Sequence, residues 1–452
     1  MRSLILLGAM LAGLLAGVAP SAADDIIRRQ QTIRSLPGQL DAVLMVNDNN
    51  PELIKEDGIL LSTFPNGGDA SISVDLNGRF DLFSHHVYAG TDETLDSTLW
   101  LALLVAPIGA EDVTLTLIEG STSLSQATQP GQTAAPFLPL PPLMRETSDV
   151  IAAGPGSRVA GDLLKGRRAP ELSQRRWTLK PGAPTVVLQL PIPVQGLDPL
   201  LNGRNLQLRL HSSAPVALAT LAAHGDDHQA PDDQDWIDLL NSGELSGKEH
   251  SPSPRGSKGK IIYSRVSGVQ VGSRWQARIT DPGSETLSIQ NAPLSWPISS
   301  LERGSLGTGQ VQTAELQALY PQTAWAAHGN YGVEYDLTLP LQNRGSAAQT
   351  LSLALESPLK TDQASDALQF RSSGSGPVMF RGPVEVAGLD DPTGTPYGRQ
   401  TVHLVLRQGQ EGPSLGQVTL EPGEARDVQI RLIYPADATP PQVLTVRPVK
   451  QS

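Results

Sequence analysis

The sequence predicts an all-β protein with two β-sandwich units, of immunoglobulin-like or related topology, and a short helix and linker between them. Short apolar or alternating segments recur along the chain, separated by turn residues. The chain has 43 glycines and 37 prolines but only 4% aromatic residues, which is typical of many short strands rather than long helices. In addition, one strand-turn-strand pattern occurs twice.

The repeated pattern is WTLKPGAPTVVLQLP at 177–191 and VTLEPGEARDVQIRLIYP at 418–435. In each copy, an apolar-Thr-Leu triplet is followed by a charged residue and Pro-Gly, and an alternating apolar run begins soon after. We interpret each copy as a hairpin with Pro-Gly at its turn. Each copy also follows a pair of strands joined by a short loop, at 98–117 and at 335–355. The two halves are therefore predicted to be related units.

The first 23 residues have the features of a secretory signal peptide. Arg2 supplies a positive charge, residues 4–19 are apolar, and residues 21–23 are small enough for a cleavage site. The apolar run is shorter than the roughly 20 residues that a membrane-spanning helix needs. We therefore expect signal cleavage, no transmembrane anchor afterwards, and a periplasmic or extracellular location.

The composition of the chain excludes several classes of function. The chain has no cysteine, which excludes disulfides, thiolate catalysis and cysteine-ligated metals. It has 34 basic and 46 acidic residues and a formal net charge of −12, which opposes nucleic-acid binding. We expect no nucleic-acid partner and no cofactor.

The first β-sandwich unit is predicted at residues 36–222, after a short helix or flexible lead that ends near residue 34. Within it, Asn77-Gly78 lies between two alternating segments and predicts a tight hairpin. A proline-rich insertion at 130–142 cannot pair in the centre of a sheet.

Residues 223–260 interrupt the strand pattern with an acidic loop, a short helix and a flexible linker. Asp232 suits the start of the helix and Gly243 its end. Three apolar residues at helical spacing would share one docking face: Trp236, Leu239 and Leu240. Strands then resume, and we assign 261–307 to a bridging β segment and 308–450 to the second β-sandwich unit.

The densest candidate metal ligands are His224, Asp226 and His228. Imidazole and carboxylate groups suit zinc or a harder cation, and histidines four residues apart would converge on a helix. Gly225 and the absence of an apolar face favour an ordinary solvated loop instead. We therefore predict no metal site, with these three residues as the candidates if there is one.

Basic residues crowd one short segment of this acidic protein. They could bind the phosphate or carboxylate groups of an envelope polysaccharide or a lipid headgroup. The alternative is a solvated loop whose charges pair locally with Asp162 and Glu171. The anion-binding candidates are Arg158, Arg167, Arg168, Arg175 and Arg176.

No motif places a nucleophile with a base, and no glycine-rich loop carries the lysine of a phosphate site. We therefore identify no catalytic or cofactor-binding residues and favour a non-enzymatic protein over an enzyme.

Several longer segments together resemble one protein family. It is a family of secreted cyanobacterial proteins known as domain of unknown function 3370. The resemblance implies cyanobacterial origin and export, but it brings no catalytic or binding residues. The segments are NPELIKEDGILLSTFP at 50–65, GRFDLFSHH at 78–86, AGPGSRV at 153–159, GSRWQARITDPGS at 272–284, LERGSLGTGQVQ at 301–312, AHGNYGVEYDLTLPL at 327–341 and YPADATPPQVLTV at 434–446.

We therefore expect an exported envelope or extracellular protein that contacts an unknown envelope protein or glycan. One alternative is a polysaccharide-binding module, although Trp100, Trp177 and Trp275 lie in strand patterns and are candidates for the core. Another is an envelope hydrolase with a site between the two units, which would require a pocket with converging carboxylates or histidines.

Overall fold

The computed structural model describes residues 25–65, 67–91, 98–225, 229–363 and 366–449. This part of the chain is mostly β, as predicted. It has two α-helices, α1 (Pro155–Leu164) and α2 (Asp233–Ser242). It also has three single turns of 3-10 helix, at Gly68–Ala70, Pro170–Leu172 and Ile289–Asn291.

The strands of the first half are β1 Ile26–Gln30, β2 Thr32–Ile33, β3 Gln39–Leu40, β4 Leu44–Leu53, β5 Gly58–Ser62, β6 Leu76–Ala89, β7 Thr98–Pro107, β8 Val113–Leu124, β9 Leu143–Arg145, β10 Arg176–Leu179, β11 Thr185–Pro193 and β12 Leu201–Gly225. Those of the second half are β13 Val266–Val271, β14 Arg274–Arg278, β15 Leu287–Ser288, β16 Leu294–Ile298, β17 Leu316–Leu319, β18 Glu334–Gln342, β19 Gln349–Glu356, β20 Ala367–Arg371, β21 Val378–Ala387, β22 Gln400–Arg407, β23 Ser414–Leu420, β24 Ala425–Ile433 and β25 Gln442–Pro448.

Four sheets contain these strands. A ten-stranded sheet has the order β10-β8-β12-β6-β4-β13-β17, with β5, β7 and β11 attached at its side. An eight-stranded sheet has the order β3-β14-β18-β24-β21-β22-β9, with β15 beside β18. A five-stranded sheet has the order β2-β16-β25-β19-β23, and β1 pairs with β20 alone.

The long strand β12 joins two layers of the ten-stranded sheet. Its first part, up to Ser212, pairs with β6 and β8, whereas residues 216–225 pair with β7 and β5. Apolar side chains from both layers form one buried cluster, because alternate residues of each strand point to the same face. Members of this cluster are Phe80, Leu82, Leu115 and Leu208 from the first layer and Leu103, Val105 and Leu218 from the second.

The eight-stranded and five-stranded sheets share a second and larger core. Trp296 of β16 is 1% exposed within it. The core includes Leu337, Leu339 and Ile430 from the eight-stranded sheet and Leu353, Val418 and Leu444 from the five-stranded sheet. Burial of apolar area in these two cores, at about 25 cal/mol per Å², is the main stabilising contribution in a chain without disulfides.

The two halves share a pattern of strand pairing. In the first half β7 pairs with β11 and β8 with β10, while β12 lies on the other side of β8. In the second half β18 pairs with β24 and β19 with β23, while β25 lies on the other side of β19. The five strands come in the same order along the chain in both halves, which supports their interpretation as related units.

The interpretation of the Pro-Gly segments as hairpins is wrong. Strand β10 ends with Leu179 opposite Val113, whereas β11 begins opposite Val105 in the other layer. The second copy likewise leads from β23 in the five-stranded sheet to β24 in the eight-stranded sheet. Both turns carry the chain between layers, and Gly182 and Gly423 adopt positive φ values of 88° and 80°, which favour glycine.

Two other local predictions are also wrong. Asn77-Gly78 lies inside β6, where Gly78 has a φ of 65° and faces an irregular step between Ser212 and Val216 of β12. The glycine therefore marks a bulge in a continuous strand. Residues 26–33 form two strands rather than a helix or flexible lead, because β1 pairs with β20 and β2 with β16.

Strand pairing also crosses the unit boundaries drawn from the sequence. Strand β9 follows the proline-rich insertion and pairs with β22 of the second half. Strand β17 pairs with β13 in the ten-stranded sheet. The segment 261–307 contributes strands to all three large sheets, so the two halves are joined by shared sheets as well as by 223–260.

The predicted docking helix is confirmed as α2. The Asp232 side chain accepts hydrogen bonds from the backbone N–H groups of Gln234 and Asp235, at 2.8 and 2.9 Å. Gly243 ends the helix in the left-handed conformation, with a φ of 68°. Trp236 and Leu240 are 0% and 6% exposed.

His403 of β22 gives a testable pH dependence. It is completely buried, and neither ring nitrogen has a hydrogen-bond partner in the part of the chain that the structure describes. Burial, together with the charge of Arg381, lowers its pKa to about 4. Between pH 6.5 and 4 the unfolded chain therefore binds a proton that the folded chain does not, and stability falls as the pH falls. His403→Leu is expected to reduce this slope by up to about 1.4 kcal/mol per pH unit in urea denaturation. His211→Leu, at an exposed histidine, is the control, and equal slopes for wild type and His403→Leu would contradict the prediction.

Candidate binding groove

An open groove of about 620 Å³ lies between four loop segments. Its walls come from residues 252–257 and 261–263 on one side, and from 301–303 and 324–327 on the other. Val311 and Thr313 complete the lining.

The first wall is the segment predicted as a flexible linker. It closes on itself because Ser253 donates its backbone N–H to the Ile262 carbonyl, at 3.0 Å. Buried Glu52 of β4 holds its start by accepting the backbone N–H groups of Glu249 and His250, at 2.8 and 3.0 Å. The same carboxylate accepts the Ser264 hydroxyl at 3.0 Å. The segment is thus tied to the ten-stranded sheet on both sides of the loop.

Two aromatic rings line the groove. Tyr263 is 39% exposed, and its ring centroid lies 4.0 Å from that of His328. Burial lowers the pKa of His328 to about 4, so this neighbour is uncharged at neutral pH. Trp325 is half-buried, and the guanidinium carbon of Arg255 lies 4.8 Å from its ring centroid. The contact with Arg255 favours one orientation of the indole ring, which lines the groove.

Charged groups surround these rings. Arg255 forms an ion pair with Glu315, with an Nη1–Oε2 distance of 3.0 Å. Arg303 donates to the Gly259 carbonyl, and Glu302 is exposed beside it. Burial raises the pKa of the Tyr263 phenol, with Arg303 lowering it and Glu302 raising it again. The phenol therefore stays protonated and can donate a hydrogen bond.

The groove also has an unsatisfied polar atom. Thr313 is 8% exposed, and its hydroxyl has no hydrogen-bond partner within the described residues. Ile262 and Val311, at 46% and 44% exposed, supply apolar surface in the same groove. A buried hydroxyl without a partner is uncommon in folded proteins, and a bound ligand can satisfy it. The groove thus offers flat rings, apolar surface and hydrogen-bonding groups together.

The candidate metal ligands are only partly covered by the structure. His224 lies in strand β12, and its Nδ1 is 2.6 Å from Asp57 Oδ1. Its ring also packs edge-on against Tyr88, with centroids 5.4 Å apart. Asp226 and His228 lie outside the described residues. Among the residues described, no group of three or more metal-ligating side chains occurs.

The five arginines of the predicted anion patch do not converge on one point. Arg158 donates through Nε to both Asp162 oxygens at 3.0 Å, as the local-pairing alternative predicts. Arg167 donates to the Ser148 carbonyl, and Arg175 reaches the Ile118 carbonyl at 3.5 Å. Arg176 is exposed in β10, and Arg168 is half-buried. Glu171 accepts from the Thr133 N–H and hydroxyl, both at 2.7 Å, rather than from an arginine.

The sequence patterns do not predict the groove residues. The tryptophans weighed as sugar-binding residues or core residues are Trp100, Trp177 and Trp275, and Trp275 is 6% exposed in the larger core. Trp325 lies in the loop sequence PQTAWAAHG, which has no strand alternation. A tryptophan outside any strand pattern was the available signal, but its pairing with Tyr263 depends on the fold.

Together, the fold and the groove define a mostly β protein with an open aromatic binding groove. Over residues 31–448 the chain matches the family described as protein of unknown function (DUF3370), and it belongs to that family. No curated protein matches the chain. Within the described residues, neither helix is long and apolar enough to cross a membrane.

Proposed function

We propose that this protein is an exported, non-enzymatic binding protein of the cell envelope or extracellular space, and that its aromatic groove binds a glycan chain. The features of a signal peptide in the first 23 residues support export to the periplasm or beyond. The resemblance to secreted cyanobacterial proteins points the same way. The repeated order of strand pairing supports two related sandwich-like units as the scaffold.

The observation that carries the glycan assignment is that Tyr263 and Trp325 line one groove together with the Thr313 hydroxyl, which has no partner among the described residues. Sugar rings present apolar C–H faces that pack on aromatic rings, and hydroxyls that hydrogen-bond to charged and polar side chains. Arg255, Arg303 and the Thr313 hydroxyl supply such groups here. Apolar side chains of an envelope protein are the other possible occupant, but they would leave the Thr313 hydroxyl without a partner among the described residues.

Titration calorimetry against polysaccharides that give hits on a glycan array tests the proposal. Trp325→Ala is expected to weaken binding about tenfold, equivalent to about 1.4 kcal/mol, because the stacking surface is lost. Tyr263→Ala should have an effect in the same direction.

The matched control is Tyr397→Ala, which removes a tyrosine that is 47% exposed and does not line the groove. It should bind as the wild type does. An array without hits, or a Trp325→Ala variant of unchanged affinity, would reject the glycan assignment. Cell fractionation followed by crosslinking in the native cell then tests location and identifies a protein partner.

The hydrolase alternative has less support. In the aromatic groove, Glu302 is the single lining carboxylate among the described residues, and no histidine lines it. No specific observation therefore favours hydrolysis over binding.

A further inference from the structure

A second groove, of about 700 Å³, lies where the proline-rich insertion crosses the eight-stranded sheet. Residues 137–140 and Pro142 form one wall, and Arg381, Val405 and Arg407 are on the side of β21 and β22. Arg381 and Val405 are direct partners in the register of these strands. The insertion is held there because β9, which follows it, pairs with β22.

Arg381 is the unusual residue of this groove. Its guanidinium carbon lies 5.2 Å from the centroid of the Phe137 ring. Its Nε is buried without a hydrogen-bond partner, and within the described residues the side chain forms neither a hydrogen bond nor an ion pair. Arg381 is half-buried, and a buried guanidinium nitrogen normally has a hydrogen-bond partner, so its Nε is an unused donor among the described residues.

The charge of Asp437 acts on Arg381, but the two side chains form no ion pair among the described residues. Asp437 instead accepts the backbone N–H of Ser157 at 2.6 Å, at the start of α1. Burial raises the pKa of Asp437 to about 7, so it is partly protonated at neutral pH. Burial also lowers the pKa of Arg381, although Asp437 raises it, and Arg407 adds a second like charge. An anion bound in the groove would offset both the burial of the Arg381 charge and its repulsion by Arg407.

His403 is a second polar side chain on β22 with unused hydrogen-bonding atoms among the described residues. It lies two residues before Val405 on β22, so both side chains point to the same face of the sheet. It is completely buried, and neither ring nitrogen has a partner among the described residues. The groove is also lined by exposed Arg407, which donates to the Gly376 carbonyl at 2.9 Å through Nη1.

We propose that this groove binds an acidic saccharide, with its carboxylate or sulfate group on Arg381 and Arg407. Guanidinium groups bind such oxyanions through paired hydrogen bonds. Phe137 and Leu138 are 45% and 42% exposed and give the sugar ring an apolar surface. The net charge of −12 opposes general attraction of polyanions, so a specific site is required for binding. This inference does not depend on the aromatic groove.

Titration calorimetry with an oligogalacturonate tests the site, with a neutral galactan oligosaccharide of equal length and sodium sulfate as comparison ligands. The acidic oligosaccharide is expected to bind, more weakly at higher salt. Arg381→Gln should weaken binding at least about tenfold, equivalent to about 1.4 kcal/mol. Phe137→Ala, at an exposed side chain, should also weaken binding and keeps the test informative if Arg381→Gln folds poorly. Circular dichroism melts check folding of each variant.

The matched control is the double variant Arg167→Gln, Arg168→Gln, which removes two positive charges outside the groove. It should bind oligogalacturonate as the wild type does, and so should Trp325→Ala. Unchanged binding by both groove variants, or an equal loss in the double variant, would overturn the site. Sulfate or the neutral oligosaccharide binding as tightly as oligogalacturonate would contradict an acidic saccharide as its ligand.

Discussion

Replacement of Glu334 by glutamine is expected to lower the free energy of unfolding by up to about 3–5 kcal/mol, because it removes a buried carboxylate that three arginines share and leaves Arg209 with less counter-charge. Glu334 begins β18, and its side chain is 1% exposed. Its carboxylate is 2.6 Å from an Arg209 nitrogen, 2.9 Å from one of Arg431 and 3.1 Å from one of Arg274. Urea denaturation at neutral pH measures the loss.

This carboxylate also connects the two halves of the molecule. Arg209 belongs to β12 of the ten-stranded sheet, whereas Arg431 and Arg274 belong to the eight-stranded sheet. A nearby hydrogen bond of 2.7 Å, from the Gln207 amide to the Gly332 carbonyl, joins the same two parts of the chain. Loss of the Glu334 charge should therefore weaken the contact between the halves as well as the local strands.

The pH dependence of stability provides a second check on Glu334. Burial alone would raise its pKa, but Arg209, Arg274 and Arg431 together lower it to about 2. A carboxylate with a lowered pKa in the folded state stabilises the protein above its unfolded pKa, and this stabilisation is lost as the pH falls. The wild type should lose the contribution between about pH 4.5 and pH 2, whereas Glu334→Gln has none to lose.

Asp427→Asn is the matched control for Glu334→Gln. Asp427 pairs with Arg278 at 3.2 Å, and the two side chains are 52% and 49% exposed. Exposed pairs contribute about 0–1 kcal/mol, so the control should change stability little. Equal losses in the two variants would show that the Glu334 network does not hold the sheets together.

Trp236→Ala is expected to lower the free energy of unfolding by about 3–5 kcal/mol, the usual cost of removing a large buried aromatic side chain. Trp236 is 0% exposed and packs in a cluster with Ile59, Leu104 and Leu221 of the ten-stranded sheet. Since it anchors α2 to this sheet, hydrogen exchange of the α2 amides should accelerate in the variant. Urea denaturation measures the global effect.

Two further variants separate packing from polarity at this position. Trp236 Nε1 has no hydrogen-bond partner, so Trp236→Phe loses less area and no hydrogen bond and should cost less than the alanine variant. Asp238→Ala changes an exposed side chain of the same helix and serves as the control. A Trp236→Ala variant as stable as Asp238→Ala would contradict the docking role of the helix.

Local sequence patterns predict where helices, strands and turns lie better than they predict which strands pair. The capping residue Asp232 and the terminal Gly243 act within a few residues of the helix, so α2 could be located from the sequence. Pro-Gly likewise predicts a turn, but whether the next strand pairs back or crosses to another layer depends on distant strands. The pairing of β1 with β20 joins residues more than 300 positions apart, which no local pattern reveals.

The same limit applies to the candidate sites. Tyr263 and Trp325 line one groove although they belong to loops separated by five strands. Phe137 and Arg381 meet only because the proline-rich insertion lies on the second half of the chain. The arginines that crowd together in the sequence at 158–176 instead spread over helix α1, loops and the edge strand β10.

Hydrogen–deuterium exchange of the full mature chain, with and without a saturating array-selected glycan, tests the glycan assignment most directly. If the glycan binds in the aromatic groove, we expect slower exchange in the loops around 252–263, 301–313 and 324–327. We expect no such slowing in Trp325→Ala. Glycan binding that slows exchange only elsewhere, or equally in wild type and Trp325→Ala, would contradict it.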